Sequence, residues 1–385
     1  MNKSFDIVVV GAGIQGLSTM HALLARGVPS LCLIEQFELG HELGSSHGRS
    51  RITRSTYNHP KYVELMQFVH SECWPAWEEE CGQQLLHPNP GLFWGPGAAR
   101  YRDSLRAFPE VWSKIEELTP SQARERFPAF RFPDVDWVLV DHTCAVLAAQ
   151  RTREFLIQAI GQRRATVLQN CPLKHWQSQP EGLVLSTAQG EIRCQKLIVT
   201  AGPWTSKLLP LGSKLRVAHQ DVGYFVLQHP MQAGQFPVWV YAGHEAGDSF
   251  YGLPQFERDG VKLARHRTSD RGDHPDRVIS KQMPDEALVD LQEFARHQWS
   301  GSVQNVGYEA CLYTNTCSED FILDHWPDDP RVIVGAGFSG HGFKFAPLIG
   351  RILANLAAPE HPAETQAFEK FRHEFSLAAA QDWNF

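Results

Sequence analysis

The sequence has no apolar run approaching the ~18 residues that a membrane-spanning helix requires, so no membrane segment is expected in its 385 residues. It has no CxxC pair and no metal-finger spacing. Its eight cysteines, at positions 32, 73, 81, 144, 171, 194, 311 and 317, stand apart from one another. That pattern argues against a zinc module or a disulfide framework and for reduced thiols in a cytosolic protein. There is no basic surplus either: 36 Lys and Arg against 43 Asp and Glu give a net charge of −7. Neither nucleic acid nor an anionic membrane is therefore expected as the main partner. No internal repeat or low-complexity tract is found. A cleavable leader is not expected, because the short apolar run near the start flows straight into a glycine motif that cleavage would destroy. A cytoplasmic location follows as the expectation.

What is present is ordinary in bulk, with 43% hydrophobic and 21% charged residues, and long enough that two domains are expected. The informative stretch is FDIVVVGAGIQGLSTMHALLARGVPSLCLIE, residues 5–35. Phe5 to Val10 is a β-branched run that suits a buried parallel strand. Gly11 makes a tight turn, Gly13 allows backbone to approach a pyrophosphate, and Gly16 lets the next helix pack close to the strand. A second strand ends at Glu35, about 20 residues past the last glycine, where an acid binds ribose hydroxyls. The helix N-terminus supplies N–H groups to phosphate.

Further along, Gly40 to Tyr57 packs glycine, serine, histidine and arginine into a segment without a helix or strand period, read as a functional loop. Residues 61–81 carry helical spacing with Pro75 as a kink or boundary, and Cys73, Trp74 and Trp77 are read as core. A short helix is expected near Ser121 to Phe127 and another from Gln150 to Ile160. Three short strands follow at Thr166–Leu168, Leu183–Ser186 and Lys196–Thr200. The stretch Lys196 to Leu209 reads as a strand, a glycine turn and a helix. A β-rich tract fills Arg216 to Tyr313, with a helix near Asp285 to Gln298. Arg331 to Leu356 repeats the strand, glycine loop and helix pattern, and the four glycines between 335 and 342 demand unusual backbone or close ligand contact.

Taken together, VVVGAGIQG, GSSHGRSRITR, TAGPW, YGLPQF with VKLARH, CLYTNTCSEDFILD and GAGFSGHGFK resemble the flavin-dependent amine oxidases of the monomeric sarcosine oxidase, N-methyltryptophan oxidase and pipecolate oxidase group. The likeness spans nearly the whole chain, and the last two motifs are the most specific. It implies an α/β fold: a Rossmann-like FAD-binding domain (1–88, 142–212 and 318–385) with a discontinuous second domain built on a large mixed β-sheet (89–141 and 213–317).

The resemblance also implies site roles. Gly11, Gly13, Gly16 and Glu35 would hold the dinucleotide. Ser45, His47, Arg51, Gly340 and Lys344 would flank the flavin, which Cys311 would join covalently, its thiolate favoured by nearby cations. Arg54 and Lys344 would clamp the substrate carboxylate. Lys262 would stabilise superoxide as oxygen takes its first electron, with Arg51 a second cation on the flavin face. His266, Tyr251 and Tyr313 would line the substrate cavity. Two departures stand out: Cys317 offers a second thiol, and Arg49 adds charge to the loop expected over the flavin. The cavity-facing tract from about Gln220 to Gly260 matches poorly, so the side chain accepted is not fixed.

The expected activity is oxidation of an N-methyl or cyclic amino acid, with hydride leaving the carbon beside the amine and oxygen becoming hydrogen peroxide, in a monomer without metal. The alternatives are a flavin dehydrogenase that reduces a carrier or quinone, a nicotinamide-dependent reductase, and a non-catalytic nucleotide-binding protein.

Overall fold

The structure, a computed structural model, describes residues 3–163, 165–266, 274–276, 282–359 and 366–383. The N-terminal motif forms strand Lys3–Val10, helix Ile14–Ala25 and strand Leu31–Ile34. Lys3–Val10 pairs in parallel with Leu31–Ile34 on one side and with Gly190–Val199 on the other. Thr166–Leu168 and Asp329–Ala336 extend the parallel layer outward. Leu173–Gln179, Gly182–Thr187 and Ile322–Trp326 add antiparallel strands. Both faces of the central strands are covered: Ile7, Val9, Leu33 and Ile198 join one core, while Val8, Val10, Ile34 and Val199 join another. Burial on both faces is why these strands read as unbroken apolar runs rather than as alternation.

Helix Ala346–Ala357 packs on Ile14–Ala25, and the contact requires Gly350. A Cβ there would sit 2.1 Å from Ser18 Oγ and 2.6 Å from the Ser18 carbonyl, and Ser18 Oγ itself donates to Ala346 O at 2.5 Å. Backbone cannot yield as a side chain can. Gly350→Ala gains about 1 kcal/mol of helix propensity but meets an overpacking cost of about 1–3 kcal/mol. A thermal midpoint lowered by up to a few degrees is expected, and a higher midpoint contradicts the packing.

The second sheet also has eight strands, in the order Val303–Asn315, Arg216–Leu227, Val261–Arg265, Phe250–Leu253, Val238–Tyr241, Gly91–Trp94, Val138–Asp141 and Ile115–Leu118. All neighbours run antiparallel except Val238–Tyr241 beside Gly91–Trp94. Alternation sorts its side chains. Phe225, Trp239, Val261 and Leu263 join Trp94, Phe130 and Trp299 in an aromatic core, into which helix Asp285–Gln298 inserts Leu291 and Ala295. On the other face stand Tyr224, Tyr251 and Ala264, and that face forms one wall of the cavity described below.

Two expectations are corrected. The segment read as an irregular loop contains strand Ser50–Thr53, which pairs with Ala145–Ala148 in a three-stranded sheet completed by Leu86–Pro88. Four residues with an arginine among them carry no readable period, and the partner lies far away in sequence. Strand Leu173–Gln179, absent from the sequence reading, is mostly exposed at a sheet edge. Pro75 marks a boundary: it sits in the first turn of helix Trp74–Cys81, which follows a π-helical turn at Val69–Cys73 after helix Pro60–Phe68. A wider turn there accommodates the proline ring and its missing N–H. Cys73, Trp74 and Trp77 lie in the core, as expected.

Candidate active site

Two cavities of about 500 and 320 Å³ meet at Arg51, Tyr313, Ser339, Gly340 and Phe343. The smaller runs along the N-terminal glycine turn, past Gly11, Gly13, Glu35 and Ser45. Gly11 has φ +97°, and a Cβ there would lie 2.5 Å from Thr200 O. Gly16 lines neither cavity. Its missing Cβ, which would fall 1.8 Å from Gly11 O, lets the helix close on the turn. The Glu35 carboxylate accepts from Ala12 N at 2.6 Å and Phe37 N at 3.0 Å and lies 3.4 Å from His41. Burial acts most strongly, pushing this carboxyl up, but His41 and the two amides outweigh it and leave it below its ordinary value.

Arg51 stands where the cavities join. It donates to the carbonyls of Ser50, Ser45 and His47 at 2.9, 3.0 and 2.5 Å, which fixes the guanidinium without an acid. His47 lines the larger cavity and donates Nε2–H to Ala310 O at 2.8 Å. Burial first, and then Arg51, hold it down to about 4, so the ring is neutral near pH 7. Its Nδ1 is then a buried acceptor without a hydrogen-bond partner. Arg153, which the sequence reading missed, also lines the smaller cavity. It is 8% exposed and its Nε has no partner. A cation on the buried face of helix Ala149–Gln162 was the available signal. Arg49, expected over the cofactor, is exposed and lines neither cavity.

The larger cavity lies between the face of the mixed sheet and the loops before helix Ala346–Ala357. Two cations in it, Arg54 and Lys344, form no ion pair with any described residue. Lys344 is 6% exposed and donates to Tyr57 Oη at 3.1 Å and His341 O at 3.4 Å. The hydrogen-bond chain continues from Tyr57 O–H to His341 Nδ1 at 3.2 Å, and from His341 Nε2–H to Glu319 O at 3.0 Å. Trp74 Nε1 donates to the Lys344 carbonyl at 2.9 Å and braces the same residue from behind. Arg54 lies over Tyr57, 4.4 Å from the ring centroid, and its Nη1 is buried without a partner. Burial, followed by Arg54, pushes the Lys344 ammonium well below its ordinary value. Buried charges normally carry counter-ions, as Lys61 does at 2.8 Å from both Asp320 and Glu374 in the same cavity. Two cations without an acid make an anion site.

Tyr251 and Tyr313 share a hydrogen bond of 2.9 Å, and Gly340, at φ +74°, leaves room for the Tyr313 ring, which a Cβ would approach to 2.3 Å. His266 pairs with Glu319 at 3.1 Å. Burial raises the Glu319 carboxyl, but His266, with His341 and Arg100, outweighs it and brings Glu319 down to about 2. Lys262 is buried with its Nζ 3.4 Å from Ser50 O, and burial first, then Arg51, lower it to about 8. Cys311 also lines this cavity, but the expectation of a thiol acidified by cations is not met. Burial dominates and pushes it up, with Arg51 and Lys262 acting in the opposite direction. Cys317 is exposed and lines neither cavity. Glu309, which the sequence reading also missed, lines the cavity beside Cys311. Among the described residues no metal-ligating cluster occurs and no helix is long and apolar enough to cross a membrane.

The glycine turn, the acid at the end of the second strand, and the unpartnered donor and acceptor atoms along the joined cavities fit a bound dinucleotide with a ring system at the junction. A family model described as FAD dependent oxidoreductase matches residues 6–356. The chain is 34% identical to peroxisomal sarcosine oxidase of Mus musculus, over 93% of each chain. It is 29% identical to monomeric sarcosine oxidase of Bacillus sp. strain B-0618, again over 93% of each. Its fold superposes on that of an unusual amino acid oxidase essential for nikkomycin biosynthesis, with TM-score 0.80, 22% identity, and 93% and 94% of the two chains covered. The chain therefore belongs to the family of FAD-dependent oxidoreductases and carries that fold around the two joined cavities.

Proposed function

We propose that the protein oxidises an N-methyl or cyclic amino acid at its secondary amine and delivers the electrons to oxygen. The observation that carries this reading is the pair of cations Arg54 and Lys344, which form no ion pair with any described residue, in a cavity that opens onto the dinucleotide cavity. The chemistry FAD supplies when bound is acceptance of a hydride from the carbon beside an amine nitrogen. Overall the substrate gives up two electrons and two protons to become an imine, oxygen takes them to become hydrogen peroxide, and water hydrolyses the imine.

In this reading the residues of the chain bind and orient. The Arg54 fork and the Lys344 ammonium hold the substrate carboxylate, with Tyr57 and His341 fixing the lysine. Tyr251, Tyr313 and His266 line the space for the amine and side chain and help exclude water. Gly11, Gly13, Glu35, Ser45, His47 and Gly340 form the cofactor walls. Lys262 and Arg51 present fixed positive charge where oxygen becomes negative, which is the arrangement that stabilises a developing anion best. A monomer in the cytoplasm remains the state proposed, the former on the analogy of the Bacillus relative's name.

The flavin is proposed to be attached through Cys311. With FAD bound, the Cys311 sulfur would bond a methyl carbon of the flavin ring system, and the two protons and two electrons released would pass to oxygen, giving hydrogen peroxide. Burial raises this thiol, so the local cations Arg51 and Lys262 must favour the thiolate during the reaction. After acid precipitation the yellow colour should stay in the pellet for the unaltered protein and for Cys317→Ser, and pass to the supernatant for Cys311→Ser. Colour released from the unaltered protein would contradict attachment while leaving FAD binding intact.

A further inference from the structure

Cations dominate the end of the larger cavity where Lys262, Arg51 and Cys311 meet, and the carboxylate standing against them is Glu309. We propose that Glu309 is a positioning residue that keeps the Lys262 ammonium charged and thereby sets the pH range over which the enzyme reacts with oxygen. The proposal rests on the reading of Lys262 as the cation at the oxygen site.

The sheet register places these groups together. Glu309 stands opposite Val222, which stands opposite Ala264 on the next strand. Strand alternation then puts Glu309 and Cys311 on the cavity face, with Tyr224 and Lys262, which are themselves register partners. Both carboxylate oxygens are held. Oε2 accepts from Tyr224 O–H at 2.7 Å and Oε1 accepts from Arg258, whose guanidinium lies over the Tyr224 ring at 4.0 Å. The carboxylate is thus immobilised.

Gly48 brings it against the arginine loop. At φ +90° a Cβ on Gly48 would lie 3.2 Å from both Glu309 Oε2 and Arg51 Nη1. The absence of a side chain there lets the two charged heads approach each other across the loop.

The groups that act most strongly on Lys262 come from three elements. Arg51 faces it from strand Ser50–Thr53, Arg258 from the turn before its own strand, and Glu309 and Cys311 from strand Val303–Asn315. The two arginines favour loss of the lysine proton, and Glu309 is the strongest influence retaining it. Glu309 itself stays ionised: burial pushes its carboxyl up, but Lys262, Tyr224 and Arg258 outweigh burial and leave it below its ordinary value. A carboxylate on the same cavity face favours the charged form of the lysine. Without the acid, Lys262 would be a cation only at lower pH.

A purely structural role for the Arg258–Glu309 pair gives a different signature. Breaking the pair from either side would then have the same effect. In the proposed role the two sides act in opposite directions, because Arg258 repels the ammonium that Glu309 attracts.

The test is a pH titration of the visible flavin absorbance of the resting holoenzyme, with the pH profile of reoxidation by oxygen in parallel. The unaltered enzyme should show an alkaline transition that Lys262→Met abolishes. Glu309→Gln should move the transition down by about one pH unit or more, and Arg258→Met should move it up. Shifts in the same direction, or a transition that neither variant moves, would overturn the proposal. An unaltered enzyme with no Lys262-dependent transition would instead overturn the reading of Lys262 on which the proposal rests. If Glu309→Gln fails to fold, the upward shift in Arg258→Met still decides between the structural and the electrostatic role.

Discussion

Replacing Lys262 by Met is expected to slow reoxidation of the pre-reduced enzyme by oxygen about 10²–10³-fold, the cost of losing one preorganised electrostatic group. The rate at which substrate reduces the flavin without oxygen should stay within a few-fold. The asymmetry follows from where charge develops. Hydride transfer moves negative charge away from the substrate, whereas the first electron onto oxygen creates an anion in a cavity that Lys262 and Arg51 line. Burial, then Arg51, depress Lys262 from its ordinary value near ~10.4 to about 8. The cation is therefore present below that pH and is lost as pH rises through it. Reoxidation should fall above about pH 8 in the unaltered enzyme, and the fall should be absent from Lys262→Met. Stopped-flow measurement of the two half-reactions separates these effects. Equal slowing of both would contradict the role given to Lys262.

Arg54→Ala should weaken binding of an amino acid substrate by about 30-fold to several thousand-fold, since leaving one partner of a buried charge contact alone costs roughly 2–5 kcal/mol. The value should fall near the lower end at neutral pH. Arg54 is one of the groups that push the Lys344 proton off, so its removal lets Lys344 hold that proton more tightly and recover part of the attraction. At lower pH Lys344 holds its proton in both proteins, so this recovery disappears and the loss should be larger. An amine of the same shape without the carboxylate should bind both proteins about equally. Dissociation constants for the two ligands, measured by perturbation of the flavin spectrum, check this. An equal loss for both ligands would remove the carboxylate from the clamp.

The parts of the fold legible in the sequence are those whose signal is local. Strand Lys3–Val10 and helix Asp285–Gln298 appear where expected, because a buried β-branched run and a helical period each announce themselves within a few residues. Strand Ser50–Thr53 does not, since its strand character comes from pairing with Ala145–Ala148. The site shows the same division. The residues expected from the two most specific motifs, among them Cys311, Tyr313 and Lys344, lie together with Arg54 and Lys262 on one cavity. Glu309 and Arg153 were invisible because their meaning depends on which face of a strand or helix is buried and on what stands opposite. The thiol argument failed for a related reason: sequence shows the cations near Cys311 but not the burial that outweighs them.

The central claim is that this chain couples oxidation of a secondary amino acid to reduction of oxygen. The most direct test mixes the purified holoenzyme with sarcosine and with cyclic and larger N-methyl amino acids, first without oxygen and then with it. The flavin colour should bleach without oxygen, return on aeration, and release one hydrogen peroxide for each substrate molecule oxidised. Bleaching that persists in air and reverses only with a quinone or carrier would contradict the oxidase reading, and no bleaching by any of these amino acids would contradict the substrate class.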